Sequence, residues 1–448
     1  MLKDIKSADI RIRAMKYLHI TLVVCSFYLS WLLFRFGRLT NLDSYGFRYN
    51  YFVAALYGIC FYFFARTYNA YMLGYFRVRK LVLAQIMSEL FSLIIVYLAT
   101  AIAWNQWNNP TYLLIFIPVQ VAIDIIWSLY VNDLYFRLYP AQKAVVVYKN
   151  ESDLKRLDDL NSFPLVRKYS VDRKVQNPKD IEQVLEGVDG YDVVIVAGLE
   201  AELMDALAKY CKMNCVNGYF IPHIGDILLA GGYHMQNFST PVMYVGRTNP
   251  KPEYLFIKRV FDIFASLIGI VVLSPFMLIT ALAIKLYDKG PIIYKQKRLT
   301  INAREFDIYK FRSMRVDAEK DGVALLAKEN DDRITPIGKI IRTIRFDELP
   351  QLFNILKGDM TIVGPRPERP EIAAEYEKTL PDFPLRLQVK AGLTGYAQVY
   401  GRYNSEPYEK LEFDLLYMNN MNILTDLQLM FATIGILFKK DSTQGFKD

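Results

Sequence analysis

Histidine and cysteine are nearly absent from this 448-residue chain, with three of the first and four of the second. His19, His223 and His234 are too few for a multi-histidine metal site, and they make histidine-based catalysis an unpromising reading. Cys25, Cys60, Cys211 and Cys215 have neither zinc-ligand spacing nor the pattern of a disulfide framework. Cys25 and Cys60 lie in apolar segments, where cysteine behaves as a small hydrophobe. A glycine-rich turn is missing where a dinucleotide fold needs one: the apolar run 143–148 (KAVVVY) passes directly into Lys149-Asn150-Glu151-Ser152. No small-residue cleavage site closes the first apolar run, and the sixteen residues before it are polar and basic, so no cleavable signal peptide is expected.

Acidic side chains are the minority charge, 46 against 54 lysines and arginines, which leaves a net +8. The chain is 53% hydrophobic and 14% aromatic, with mean hydropathy +0.12, too apolar for an ordinary soluble protein of this length. In such a chain a basic excess points to lipid headgroups or phosphorylated substrates before nucleic acid. No nucleic-acid partner is expected.

The apolar residues fall in long runs. Residues 17–36, 47–65, 81–104 and 111–131 each approach the ~20 residues that cross a bilayer. The fourth contains Pro118 and Asp124, and an intramembrane Asp calls for a helix partner. Lys3, Lys6, Arg11, Arg13 and Lys16 precede the first run, and Arg66, Arg77, Arg79 and Lys80 lie between the second and third. By the positive-inside rule the N-terminus, this middle loop and everything beyond 131 are cytoplasmic, although Arg35, Arg38 and Arg48 flank the first outer loop. Further on, 143–148 and 191–197 (YDVVIVA) read as buried parallel strands separated by helical stretches. This Rossmann-like α/β domain is expected to be structural or regulatory.

Residues 263–284 are again long enough to span, but Ser274-Pro275 sits at their centre. Proline removes a helix hydrogen bond, so a break or sharp bend is expected. Lys258 and Arg259 stand before the segment and Lys285 and Lys289 after it, placing both ends on one face. The segment reads as a re-entrant helix, with a kinked spanning helix as the alternative. The last apolar run, 423–438, ends in Lys439-Lys440 and suits a helix in the headgroup layer or one packed on the domain. The expected architecture is a multidomain membrane protein: four transmembrane helices in 1–140, the α/β domain in 141–250, and a mixed α/β catalytic domain in 251–448 with the re-entrant helix near 260–286.

The chemistry concentrates in Phe346-Asp347-Glu348-Leu349-Pro350-Gln351-Leu352-Phe353-Asn354, followed by Gly358-Asp359-Met360 and Val363-Gly364-Pro365-Arg366-Pro367-Glu368. Pro350 fits a first helical turn, since its missing N–H has no intrahelical partner there. Two carboxylates thus stand where free backbone N–H groups favour anions, phosphate among them. The plain alternative makes Asp347 a helix cap and Glu348 a solvated first-turn residue.

These stretches, with Lys258-Arg259-Val260-Phe261-Asp262, Tyr309-Lys310-Phe311-Arg312-Ser313-Met314, Asp332-Arg333-Ile334-Thr335, Gly392-Leu393-Thr394-Gly395-Tyr396-Ala397-Gln398-Val399 and Gly401-Arg402, resemble the bacterial sugar transferases, or polyprenyl-phosphate hexose-1-phosphate transferases, over most of 254–440. The four N-terminal helices resemble the large, dimeric subclass of these monotopic phosphoglycosyl transferases. Lys390-Ala391, Tyr396 and Tyr403 stand where that family has Arg-Pro, Trp and Asn. The resemblance implies a UDP-sugar donor, an undecaprenyl (polyprenyl) phosphate acceptor, a homodimer and a place in the bacterial cytoplasmic membrane, starting capsule, exopolysaccharide or O-antigen synthesis. It implies that Asp347 attacks the phosphorus next to the sugar to form an aspartyl-phosphosugar, releasing UMP, and that Glu348 binds Mg²⁺. It implies nucleotide contact by Pro365, Arg366 and Pro367, with Lys310 and Arg402 as further donor or phosphate contacts. Arg312 is a further candidate, for lipid headgroups, and Asp426 matches a family carboxylate or serves as a cap. The competing readings are a membrane glycosyltransferase that releases UDP through Asn330-Asp331-Asp332, and an inert assembly scaffold.

Overall fold

The computed structural model describes all residues except 1, 37–47, 106, 108–109, 158–164, 179, 236–241, 316–331, 402–405 and 438–448. Arg38, Asn330-Asp331, Arg402, Tyr403 and Lys439-Lys440 therefore lie outside the described residues. The chain divides into two compact units, Met1–Ile221 and Pro222–Asp448.

The first unit opens with helices α1 (Leu2–Phe36), α2 (Arg48–Thr67), α3 (Val78–Trp104), α4 (Thr111–Ile115) and α5 (Ile117–Leu138). Buried residues recur every four positions, Val23, Phe27 and Trp31 on α1 against Val53, Tyr57 and Phe61 on α2. That spacing keeps one stripe of a helix facing its neighbours, and Phe27 stacks on Tyr57 with ring centroids 3.9 Å apart. Leu18, Leu22, Leu29 and Leu33 point outward, as a lipid environment allows. Asp124 finds the helix partner expected of it: its carboxylate meets His19 Nε2 at 3.0 Å, and His19 Nδ1 lies 2.9 Å from the Tyr71 hydroxyl.

Among the described residues, Ala8–Leu33, Val78–Trp104, Leu113–Leu138 and Pro252–Asp288 are long and apolar enough to cross a membrane. The second expected span, α2, is absent from that set. Its 20 residues include four tyrosines, Asn50 and two terminal arginines, which dilute its hydropathy. Pro118 does not interrupt the fourth span; it occupies the first turn of α5, where its lack of an N–H costs nothing.

Strands β1 (Gln142–Tyr148), β2 (Tyr169–Gln176), β3 (Val193–Ala197) and β4 (Asn217–Phe220) form a parallel sheet in the order β2-β1-β3-β4. The order is that of doubly wound sheets. Alternate residues of β1 and β3 pack on α8 (Ile181–Val188) and α9 (Ala201–Met213) on one face. The other face meets α6 (Glu151–Arg156) and Leu165 of the short α7 (Leu165–Lys168).

The second unit begins with α10 (Ile224–Ala230), whose Ile224 and Ile227 lie in its core, so residues 222–250 belong to this unit rather than to the α/β sheet. A hairpin of β5 (Tyr233–Met235) and β6 (Val242–Tyr244) follows, then α11 (Pro252–Asp288). The expected break at Ser274-Pro275 is not there: α11 is one helix of 37 residues with Pro275 inside it. The carbonyl that Pro275 cannot serve is that of Val271, and Ser274 Oγ donates to it at 2.8 Å. A neighbouring hydroxyl thus replaces the missing N–H, as membrane helices permit.

The rest is β7 (Ile293–Leu299) paired antiparallel with β8 (Glu305–Phe311), α12 (Pro336–Thr343), α13 (Gln351–Lys357), β9 (Thr361–Val363), α14 (Pro370–Thr379), β10 (Gly392–Thr394) parallel to β9, α15 (Tyr396–Tyr400), α16 (Pro407–Asn419) and α17 (Ile423–Leu437). Met360, Ile355, Leu411, Tyr417 and Leu429 centre the core. Along α11, Asp262 accepts from Thr361 Oγ1 at 2.6 Å and from the Ile362 N–H at 3.1 Å. Gly269 lies against Leu352, Phe276 contacts Phe346, and Ile284 packs with Phe311 and Ile341.

Candidate active site

Arg345 leaves α12 with φ +56°, a left-handed turn that closes the helix. One 3-10 turn, Phe346–Glu348, follows and carries both carboxylates directly ahead of α13. Pro350 caps α13 and Gly358, at φ +91°, ends it. Asn354 is completely buried; its side chain donates to the Asp307 carbonyl at 2.7 Å and accepts from the Tyr309 N–H at 2.9 Å. This amide clamps α13 to β8 and so brings Lys310 to the dyad.

Glu348 is saturated with cations. Its Oε1 accepts from Arg366 at 2.7 Å and from Lys310 at 3.4 Å, and Oε2 lies 3.9 Å from Arg345. Burial alone would raise its pKa, but Arg366, Lys310 and Arg345 outweigh that and hold the carboxyl well below its ordinary range. Asp347 goes the other way. Burial raises its pKa, the Glu348 charge adds to the rise, and Lys310, Arg342 and Arg366 only partly oppose it. Burial also lowers the pKa of Lys310, with Glu348 pulling back. The pair thus divides into a permanent anion that anchors cations and a carboxylate costly to ionise, hence more basic. Such divergence between neighbours is typical of reacting groups.

Arg366 lies in a loop built for close backbone approach. A Cβ on Gly392 would stand 2.1 Å from the Gly364 nitrogen, so β9 and β10 meet only because both residues are glycine. Arg298 Nη1 donates to the Pro367 carbonyl at 3.1 Å and Arg386 Nη2 to the Arg366 carbonyl at 2.9 Å. Arg386 is itself held by buried Asp414 at 2.7 Å. Glu368 gathers Arg386, Lys410 and Arg298 at 3.7, 3.5 and 3.9 Å.

The structure brings Asp347, Glu348, Lys310 and Arg366 together, with Pro365 and Pro367 flanking the arginine. Arg312 is elsewhere: its buried guanidinium bonds to Asp288 at the end of α11. Asp426 is also apart, accepting from Lys258 at 2.6 Å, Tyr254 at 2.8 Å and Tyr417 at 2.9 Å. Lys258 is engaged in that cluster. Sequence reasoning missed Arg345, Arg342, Arg298 and Arg386. The spacing of Arg342 and Arg345 ahead of the dyad was a signal; Arg298 and Arg386 gave none, being remote in sequence.

Comparison with known proteins bears on the family. Residues 253–440 match the model of the bacterial sugar transferases. The chain is 35% identical over 277 residues to the UDP-N-acetylgalactosamine-undecaprenyl-phosphate N-acetylgalactosaminephosphotransferase of Aeromonas hydrophila, covering 60% of this chain and 63% of that protein. It is 42% identical to the exopolysaccharide production protein PSS of Rhizobium leguminosarum bv. phaseoli, over 40% of this chain and 94% of that protein. It is 36% identical to the UDP-glucose:undecaprenyl-phosphate glucose-1-phosphate transferase of Escherichia coli (strain K12), over 44% of this chain and 42% of that one. The chain thus spans less than two thirds of the Aeromonas and Escherichia proteins.

Proposed function

Because the chain belongs to the bacterial sugar transferase family, we propose that it is a transferase that moves a hexose-1-phosphate from a UDP-sugar to undecaprenyl phosphate, at the cytoplasmic face of a bacterial membrane. The observation that carries the reading is the divided dyad, a basic Asp347 beside a Glu348 locked by Arg366 and Lys310.

Asp347 attacks the phosphorus attached to the sugar. The bond to the bridging oxygen breaks, and that oxygen leaves with the electron pair on UMP. An oxygen of the lipid phosphate then attacks the same phosphorus, and Asp347 departs as a carboxylate. Two displacements through a covalent intermediate replace one difficult step. Lys310 and Arg366 keep positive charge beside the attacked phosphate, and the prolines on either side of Arg366 restrict its backbone.

Mg²⁺ fits this site only in company. It binds through one or two carboxylates plus substrate phosphates, and no cluster of three or more metal-ligating side chains occurs among the described residues. Asp347 and Glu348 are the two that would hold it, with the donor diphosphate supplying the rest. When bound it neutralises phosphate charge.

The contacts of α11 favour a disposition with both of its ends on one face of the membrane. A straight helix of 37 residues is about 55 Å long, beyond the ~30 Å hydrocarbon core. Both ends nevertheless touch the same unit: Arg259 donates to the Ile355 and Leu356 carbonyls, and Asp288 binds Arg312. A helix so anchored keeps both ends on one side and holds the dyad at headgroup level.

The test is nucleotide release by purified protein with Mg²⁺, undecaprenyl phosphate and a panel of UDP-sugars. Lipid-dependent UMP from one donor supports the reading and names the hexose. UDP would mean ordinary glycosyl transfer, and no release from any donor would favour a scaffold.

A further inference from the structure

Beyond the far end of α13 the second unit holds a cleft of about 890 Å³. Arg259, in its wall, donates to the carbonyls of Ile355 and Leu356, whereas the dyad stands ahead of Gln351. The seven residues of α13, about 10 Å of helix, therefore separate the cleft from the reacting carboxylates, and no dyad residue lines it. It is a different place from the catalytic centre.

Four cations line it: Arg247, Lys258, Arg259 and Lys390. The carboxylates around it are already engaged. Asp262 accepts from Thr361 and Ile362, Asp426 is paired with Lys258 at 2.6 Å, and Asp359 is paired with Arg304 at 3.1 Å. Among the described residues Lys390 makes no such pair. Burial, then the nearby Arg259 and Arg304 charges, lower its pKa, and Asp262 and Asp359, each held by other partners, only partly oppose them. The remaining wall is largely apolar, with Leu255, Val389, Met421 and the rings of Tyr233 and Tyr244. The outward apolar strip of α11 begins at this cleft, with Leu255 and Phe256, and continues through Phe264, Leu267, Val271 and Val272.

We propose that this cleft is a second anion site, which takes the phosphate of an amphiphile against Arg247 and Lys390 while its apolar part lies along α11. The required chemistry is a phosphate group. The adjoining apolar strip selects a bilayer lipid headgroup over phosphate from solution.

The experiment uses the full chain in nanodiscs of phosphatidylglycerol or phosphatidylcholine, with retained lipids counted by native mass spectrometry and inorganic phosphate titrated separately against thermal unfolding. Arg247 and Lys390 are both exposed, so Arg247→Gln and Lys390→Gln leave the core untouched. The expected result is phosphatidylglycerol retained in excess of phosphatidylcholine, with each substitution weakening that retention about fivefold. Stabilisation by inorganic phosphate that both variants lose, with no lipid preference, would uphold the phosphate site and assign it to a soluble ligand. Equal retention of the two lipids by wild type and variants, with no variant-sensitive effect of phosphate, would overturn the proposal.

Discussion

Arg366 donates to Glu348 Oε1 at 2.7 Å, while Asp347, one residue earlier, feels the same guanidinium only through space. One carboxylate of the pair is thereby fixed and the other is not.

On the proposed mechanism, replacing Asp347 with Asn removes the nucleophile. UMP release is expected to fall by at least about 10³-fold, and intact-mass analysis should lose the phosphosugar adduct. For the wild type, kcat/KM should fall as pH drops through the raised Asp347 pKa, at a midpoint above 3.8. Normal turnover by the Asn variant would sink the assignment.

The same two residues should have opposite effects on stability. The folded-state pKa of Asp347 is raised, so ionised Asp347 costs stability above its unfolded value, and Asp347→Asn should raise the unfolding temperature. The Glu348 pKa is depressed, so its contribution is present above its unfolded value of 4.5 and is lost as pH falls through the folded one. Glu348→Gln leaves Lys310 and Arg366 with only the through-space charge of Asp347, and should lower the unfolding temperature. Thermal unfolding at neutral pH reads both signs.

Behind the arginine loop, Arg386 and Asp414 should not be equivalent. Burial raises the Asp414 pKa to about 6 despite Arg386, so its charge is only partly repaid. Asp414→Asn should therefore be milder than Arg386→Met, which strands the Asp414 charge and frees the Arg366 carbonyl. Unfolding temperatures should rank the variants, and donor KM should rise more in Arg386→Met.

The disposition of α11 is open to labelling. With the native cysteines replaced, single cysteines at the exposed Leu255 and Leu286 should react with an impermeant thiol reagent from the same side of sealed vesicles. Reaction from opposite sides would establish a spanning helix.

Local features were legible in the sequence where one segment carries the whole signal. Pro350 and the apolar residues after it marked the helix behind the dyad, and run length marked α1, α3 and α5. What escaped depends on residues far apart. Arg386 and Asp414 escaped notice because nothing in either segment announces the other. Arg312 reads as a free cation until Asp288 is placed beside it. Ser274-Pro275 reads as a break because proline's missing donor is obvious and the serine hydroxyl that replaces it is not.

The bond from Thr361 and Ile362 to Asp262 carries a further meaning. Those two residues lie within five positions of Arg366, on the strand that leads into its loop. The longest apolar helix of the unit is thus fastened to the segment that leads to the guanidinium. On the proposed disposition, bilayer thickness becomes a mechanical input: a hydrocarbon layer that tilts α11 to relieve mismatch also moves the anchor of Arg366, so turnover should vary with acyl-chain length at constant headgroup.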